Sequence, residues 1–144
     1  MKEDNRNLKA FTVMFRAYQA VQDATKKDLL QYDLNQTEFG VLEFLYHYGE
    51  QPIQVIGKKI LIASSSITYV IDKLEQKGFV ARRACPRDRR VTYALLTYEG
   101  QILIDRIFPQ HEQIINEIFE VLDQHEVETM TLLLKKVGLN AAKK

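Results

Sequence analysis

Residues 64–100 read SSSITYVIDKLEQKGFVARRACPRDRRVTYALLTYEG. The first part has a helical period, because at 100° per residue four apolar side chains share one face: Ile67, Val70, Ile71 and Leu74. Gly78 is expected to end that helix. Two short β-type runs follow, Phe79–Ala84 and Val91–Leu96, separated by a basic loop that contains a proline and an aspartate. The pattern predicts a helix followed by a β-hairpin.

Three helices are predicted before this segment. An amphipathic pattern free of glycine and proline runs from Leu8 to about Leu30. Asn35 can cap a second helix, Glu38 is placed to complete a capping box, and Gly49 is expected to end it. Ile53–Leu61 is predicted to form a short third helix.

Two helices are predicted after the hairpin. Thr97 can cap the fifth helix, whose apolar side chains continue to Leu122. Pro109 lies inside this helix, so we expect a kink or a local break there. The last helix is predicted from about Glu126 to Val137, with Gly138 as its stop.

The order of elements predicts a mostly α-helical fold with one small β-hairpin, in which a helix-turn-helix precedes the hairpin. The long first, fifth and sixth helices carry more apolar surface than a chain of 144 residues needs to cover itself. A partner chain is the expected use of that surface, and identical subunits favour closed two-fold pairing.

Composition excludes several classes of protein. Hydrophobic residues make up 46% and charged residues 27%, which is typical of a globular chain rather than of a disordered, collagen-like or coiled-coil one. No apolar run approaches the roughly 20 residues needed to cross a bilayer. The polar, acid-containing N-terminus predicts no signal peptide, and one cysteine, Cys85, cannot form an intrachain disulfide. A cytoplasmic location is therefore expected.

The net charge of +1 conceals an uneven distribution. Residues 52–100 carry nine basic and four acidic side chains, a net charge of +5, whereas residues 1–51 and 101–144 each carry −2. A basic middle between acidic ends indicates a nucleic-acid-binding face. By charge alone, a solvated charged surface is an equal alternative.

Three motifs occur in order within the basic segment: LEQKGFV at 74–80, DRR at 88–90 and LTYEG at 96–100. In this combination the chain resembles the MarR family of winged helix-turn-helix transcriptional regulators over residues 8–139. Within that family it is most similar to the branch of quinone- and phenol-responsive repressors.

The resemblance implies an architecture and a function. A winged helix-turn-helix DNA-binding domain is expected at 34–97, and dimerisation helices are expected at 1–33 and 98–144. The implied function is that of a repressor that binds a pseudo-palindromic operator in double-stranded DNA as a homodimer, without a cofactor.

The expected DNA contacts lie on the fourth helix and on the hairpin, which becomes the wing. N-terminal side chains of a recognition helix meet base edges in the major groove. The helix candidates are polar side chains: Ser64, Ser65, Ser66, Thr68, Tyr69 and Lys73. The wing candidates are its charged side chains: Arg82, Arg83, Arg87, Asp88, Arg89 and Arg90.

Individual roles are expected for Arg90, Asp88 and Asp72. The resemblance implies that Arg90 enters the minor groove, where Asp88 would aim its guanidinium. Asp72 would repel phosphate and is expected to pair with a nearby arginine or lysine. The alternatives are that the serines only cap a helix and that the wing is a solvated, disordered loop in the free protein.

An effector is also implied by the resemblance, namely a small phenolic or aromatic ligand held between the dimerisation helices and the winged domain. The candidate residues are aromatic side chains and histidines: Phe11, Phe15, Tyr18, Phe39, Tyr46, His47 and His111. Filling the core is the alternative role for these residues. Cys85 is a candidate redox sensor, because nearby arginines favour a thiolate that reacts with quinones, or else it is an inert residue at a strand end.

The sequence provides no basis for an enzyme. Its three histidines have no metal-ligand spacing with Cys85 or an acid, and it contains neither a glycine-rich phosphate loop nor a nucleophile elbow. The remaining alternative is a dimeric helical interaction module whose basic hairpin binds a protein or RNA.

Overall fold

A computed structural model of the protein describes residues 5–60 and 64–144, with the backbone alone at 64 and 65. Within these residues it contains six helices: α1 Arg6–Leu30, α2 Gln36–Tyr48, α3 Ile53–Lys59, α4 Ser64–Gln76, α5 Tyr98–Phe119 and α6 Gln124–Ala141. It also contains three strands: β1 Gln51–Pro52, β2 Val80–Ala84 and β3 Thr92–Leu96. The mostly helical fold class is confirmed. The chain forms two compact units, whose boundary lies between His111 and Glu112.

The beginning and end of α2 follow from local chemistry. The Asn35 side chain accepts a hydrogen bond from the Glu38 backbone N–H at 2.8 Å. The Glu38 carboxylate accepts one from the Asn35 N–H at 3.0 Å, which completes the capping box that the sequence predicts. At the other end, Gly49 adopts a positive φ of 72°, which is easily reached only without a side chain.

The core of the first unit forms around α4. Its predicted apolar face is confirmed, since Ile67, Val70, Ile71 and Leu74 are all buried. They join a cluster of buried side chains from the neighbouring elements, including Leu29, Leu42, Ile56, Val80, Ala94 and Ile104. Burial of this face therefore settles which side of α4 is turned toward solvent.

The sheet has the strand order β1-β3-β2 and is antiparallel throughout. The predicted hairpin is β2 paired with β3, with Arg83 opposite Tyr93. The strand β1 was not predicted, because two residues, one of them proline, have no alternating pattern to detect.

Three predicted helix boundaries were wrong. Helix α6 continues through Gly138 to Ala141, since a glycine inside a helix costs only about 1 kcal/mol and does not by itself end it. Its start at Gln124 is set by a capping box of Asp123 with Glu126. Helix α5 ends at Phe119 rather than near Leu122.

Two further helix expectations concern Pro109 and the end of α3. Helix α5 is continuous through Pro109, so no local break occurs, because a proline removes one hydrogen bond while the neighbouring turns keep theirs. Helix α3 ends at Lys59, and residue 61, its predicted end, lies outside the described residues. Among the described helices, none combines the length and hydrophobicity that a transmembrane span requires.

The start of α5 packs directly on the end of the α4–β2 connection. As expected, Thr97 caps the helix, because its Oγ1 accepts a hydrogen bond from the Gly100 N–H at 3.0 Å. The same hydroxyl donates to the Gly78 carbonyl at 2.6 Å. A Cβ on Gly100 would lie 2.0 Å from the Phe79 carbonyl oxygen, so only glycine fits there.

Gly100→Ala should therefore lower the free energy of unfolding by about 3 kcal/mol, because the Phe79 backbone has to move. Urea unfolding of the purified protein measures this change. Gly138→Ala is the matched control, since its Cβ would meet nothing within 4 Å. That control should gain about 0.5–1 kcal/mol. An unchanged midpoint for Gly100→Ala would contradict the described packing.

Candidate nucleic-acid interface

The solvent side of α4 carries most of the predicted helix contacts. Ser66, Thr68, Tyr69 and Lys73 are exposed there, opposite the buried apolar face. The Lys73 ammonium lies 5.4 Å from the centre of the Tyr69 ring, a cation–π arrangement. Ser64 and Ser65 begin the helix, and their side chains lie outside the described part of the chain.

Arg82 connects the wing to α4. Its Nη2 donates to the Asp72 carboxylate at 2.5 Å, and its Nη1 donates to the Glu75 carboxylate at 2.6 Å. The ion pair expected for Asp72 is therefore present. The two acids lie three residues apart on one face of α4, so one planar guanidinium reaches both. Arg82 thus fixes β2 against the helix, and its charge is already balanced by two carboxylates.

Arg83 lies on the neighbouring position of β2 and also contacts other residues of the protein. Its Nε donates to the Glu50 carboxylate. Its guanidinium lies 4.8 Å from the centre of the Tyr93 ring, across the strand pair. These contacts tie β2, an edge strand of the sheet, to β3 and to Glu50, the residue that precedes β1.

The wing tip has a defined geometry. Asp88 accepts three hydrogen bonds from Arg90: from the backbone N–H at 3.0 Å, from Nε at 3.1 Å and from Nη2 at 3.2 Å. The turn is closed by the Val91 N–H, which donates to the Asp88 carbonyl at 3.1 Å. The Arg90 side chain is nonetheless 90% exposed, so its guanidinium is oriented and accessible at once.

The Asp88 carboxylate stays charged at neutral pH. Hydrogen bonds from the Arg90 side chain, and then from its backbone, hold the pKa of Asp88 below its ordinary value of 3.8. The Asp88–Arg90 contact is therefore complete above that ordinary value and weakens only as the pH falls through the lowered pKa. Arg87 and Arg89 flank this pair, and both are exposed.

The predicted aromatic residues separate into two groups. Tyr46, His47 and His111 contact Phe108, and Phe39 packs on His111; we name these five residues the aromatic cluster. Ring centres are 4.5 Å apart for Phe39 and His111, and 5.0 and 5.5 Å apart for Phe108 with His47 and Tyr46. His111 Nε2 also lies 3.9 Å from a Glu43 carboxylate oxygen.

The other candidates lie on α1. Phe11, Phe15 and Tyr18 are each more than half exposed there. Phe11 and Phe15 stack on each other, and the Tyr18 hydroxyl accepts a hydrogen bond from Gln22. Phe108 was missed as a site residue, although its position three residues before His111 placed both on one face of α5.

Cys85 is half-buried at the start of the wing loop, and its backbone N–H donates to the Val91 carbonyl at 3.1 Å. Over the part of the chain that the structure describes, no group of three or more histidine, cysteine, aspartate or glutamate residues could hold a metal ion.

The exposed polar row on α4 and the arginine-tipped hairpin beside it define a winged helix-turn-helix DNA-binding protein. Residues 34–92 match the MarR family. The chain is 54% identical over 136 residues to HTH-type transcriptional regulator MhqR of Bacillus subtilis, covering 94% of each chain. The chain therefore belongs to the MarR family, and the MhqR branch is supported.

Solved structures share the fold. Bordetella bronchiseptica BpsR, whose DNA binding is regulated by 6-hydroxynicotinic acid, is 26% identical with a TM-score of 0.81, over 90% of this chain and 98% of that one. The MarR family regulator Sco3205 of Streptomyces coelicolor, solved in complex with DNA, has a TM-score of 0.90 at 20% identity, over 96% and 93% of the chains. The protein is a DNA-binding transcriptional regulator, and the family is one of regulators rather than enzymes.

Arg90→Ala should weaken specific DNA binding by about 1–3 kcal/mol while leaving the melting temperature unchanged, because the Arg90 side chain is 90% exposed and pairs with Asp88, its neighbour in the wing. Fluorescence anisotropy with a labelled operator duplex and thermal melting measure the two quantities. Lys135→Met, which removes one exposed positive charge from α6, is the control. A drop in melting stability as large as the binding loss would make Arg90 structural instead.

Proposed function

We propose that the protein is a repressor that binds a pseudo-palindromic operator as a homodimer and is released by a small aromatic ligand, a phenol or quinone, or by an electrophile. The observation that carries this proposal is the paired arrangement of an exposed polar face on α4 and an oriented, accessible arginine at the wing tip. One element fits a major groove, and the other fits the adjacent minor groove.

In the proposed complex the N-terminal half of α4 meets base edges. Ser64, Ser65, Ser66, Thr68 and Tyr69 supply hydroxyl groups to bases or nearby phosphates, and Lys73 supplies a charge. On the wing, Arg90 enters the minor groove, Asp88 aims it, and Arg87 and Arg89 attract phosphate. Arg82 and Arg83 contribute to DNA binding by holding the wing in position, a role that their ion pairs with carboxylates of the protein support.

The homodimer is supported by apolar surface on the terminal helices. On α1 and on α6 several large apolar side chains are exposed: Leu8, Phe11, Val13, Met14, Phe15, Leu132, Leu133, Leu134, Val137 and Leu139. Burial of such faces against a second copy is the ordinary solution for a soluble helical chain. We assign DNA binding to 34–97 and dimerisation to the helices within 1–33 and 98–144.

The aromatic cluster supports an aromatic effector. Pockets for such ligands are mostly apolar and contain a few polar groups, and here His111 and His47 supply the polar groups beside Phe39, Tyr46 and Phe108. Phe11, Phe15 and Tyr18 are the α1 residues that we add to this proposed pocket. BpsR offers a precedent, because an aromatic acid regulates its DNA binding. The ligand acts by binding the DNA-incompetent state more tightly than the competent one.

Footprinting on the promoter of the protein's own gene tests the proposed function. We expect a protected pseudo-palindrome whose half-sites are separated by about 34–36 Å, one turn of DNA. Affinity should fall steeply with salt, since each neutralised phosphate releases counterions. Equal binding of a random duplex would contradict operator recognition. A preference for single-stranded RNA would favour an RNA-binding module.

Cys85→Ser separates the two routes of release. If the effector binds the aromatic cluster, this variant should leave the operator at the same phenol or quinone concentration as the parent, within about twofold. His111→Ala should then lose the response while it keeps operator affinity. A response lost in Cys85→Ser and kept in His111→Ala would assign sensing to the thiolate instead. The measurement is anisotropy of the operator complex titrated with each compound.

A further inference from the structure

Lys77, the residue that directly follows α4, joins the end of that helix to the connection between α1 and α2. Its ammonium lies 2.8 Å from the Glu38 carboxylate, and it donates to the Asp33 backbone carbonyl at 2.6 Å. The Asp33 carboxylate is farther away, at 3.9 Å, and is 98% exposed. The two close contacts link parts of the chain that are 39 and 44 positions apart in sequence.

Glu38 is the buried partner of this lysine. Its side chain is only 6% exposed, and its Oε1 already accepts the hydrogen bond from Asn35 that completes the capping box. The second oxygen, Oε2, is the atom that faces Lys77. Burying a carboxylate without a cation or hydrogen-bond donor is unfavourable, so Glu38 should keep its contact with Lys77 in the folded protein.

The connection that receives Lys77 is itself held in place. The Leu34 N–H donates to the Leu29 carbonyl at 3.3 Å, and Asp33 has a positive φ of 56°. The Tyr32 hydroxyl donates to Gln110 of α5 at 2.8 Å, and Arg106 of α5 lies over the same ring. The lysine therefore attaches α4 to a point that is fixed relative to α1, α2 and α5.

We propose that Lys77 is a positioning residue for DNA binding, which holds the C-terminal end of α4 at the angle that its N-terminal side chains need. Helix α4 is about 20 Å long, so a tilt of about 5° at one end moves the other by about 1.7 Å. Such a displacement breaks hydrogen bonds to base edges. Arg82 holds α4 through its contacts from the wing, and Lys77 holds it through its contacts with the α1–α2 connection and Glu38.

Lys77 does not act as a phosphate contact in this proposal. It lies about 16 Å along the helix axis from Ser66, about two Debye lengths at physiological salt, and one turn after Lys73. Its charge is also balanced by Glu38. Replacing Glu38 therefore separates the two effects on DNA affinity. Removal of its negative charge should favour binding to DNA, whereas loss of the contact that positions α4 should weaken it.

Glu38→Gln distinguishes positioning from electrostatics, because the two predict opposite changes in operator affinity. Glutamine keeps the capping box but loses the ion pair with Lys77. Electrostatics alone would strengthen DNA binding, whereas positioning predicts about tenfold weaker binding of the footprinted operator, with the random-duplex affinity and the salt slope unchanged. Asp33→Asn is the matched control, since it removes an exposed negative charge and keeps the backbone carbonyl, and it should bind as the parent does.

Lys77 variants complete the test. Lys77→Met should lose about tenfold in operator affinity, and Lys77→Arg should recover most of it. Lys77→Met alone leaves a buried carboxylate unpaired, which could destabilise the fold. The double variant Lys77→Met with Glu38→Gln avoids this, and it should lose no more operator affinity than either single variant. Lys27→Met, which removes one exposed positive charge from α1, controls for the change in net charge.

The test keeps the inference separate from the proposed operator recognition on which it rests. Equal binding of all duplexes by the parent protein would contradict operator recognition itself. A parent that discriminates, together with a Glu38→Gln variant of equal or higher operator affinity, would overturn the role of Lys77. A reduced salt slope in Lys77→Met would make this lysine a phosphate contact and overturn it as well.

Discussion

Burial of one face of α4 is the constraint on which the rest of the interface depends. Ile67, Ile71 and Leu74 are fully enclosed by the core. Burying an aliphatic side chain of this size contributes about 1.5–3 kcal/mol, far more than an exposed polar contact. The rotation of α4 about its axis is therefore set by hydrophobic packing, and the polar row that we propose contacts DNA is the remaining, solvent-facing side.

Rotation is only one of the variables that a recognition helix has to control. Its tilt and its distance from the wing are set by long-range ion pairs, in which Arg82 holds β2 and Lys77 holds the α1–α2 connection. Basic side chains in this segment consequently have different tasks. Some are neutralised by carboxylates and support the structure, while Lys73, Arg87, Arg89 and Arg90 remain exposed.

The aromatic cluster lies beside the same framework. Phe108 and His111 come from α5, and Phe39, Tyr46 and His47 come from α2, whose first turn also holds Glu38. A ligand that separates α5 from α2 would act on the helix that anchors Lys77. The aromatic cluster and α4 are thus connected by contiguous packed elements, which is the kind of physical route that coupling requires.

The sequence by itself determined the order of the helices, the buried face of α4, the capping box at Asn35, the hairpin and the family motifs. Each of these features depends on residues that are close together in sequence, within about one helical turn or one strand pair, so a local pattern reveals it. It did not predict β1, whose two residues form a strand only because β3 lies beside them.

Only the tertiary structure decided which charges and rings meet. The pairing of Arg82 with Asp72 was expected in kind, but its sharing with Glu75 and the contact of Lys77 with Glu38 were not. Nor could spacing separate the clustered aromatic residues from those exposed on α1. Such partners lie far apart in sequence and leave no local pattern, because the core that packs between them is what brings them together.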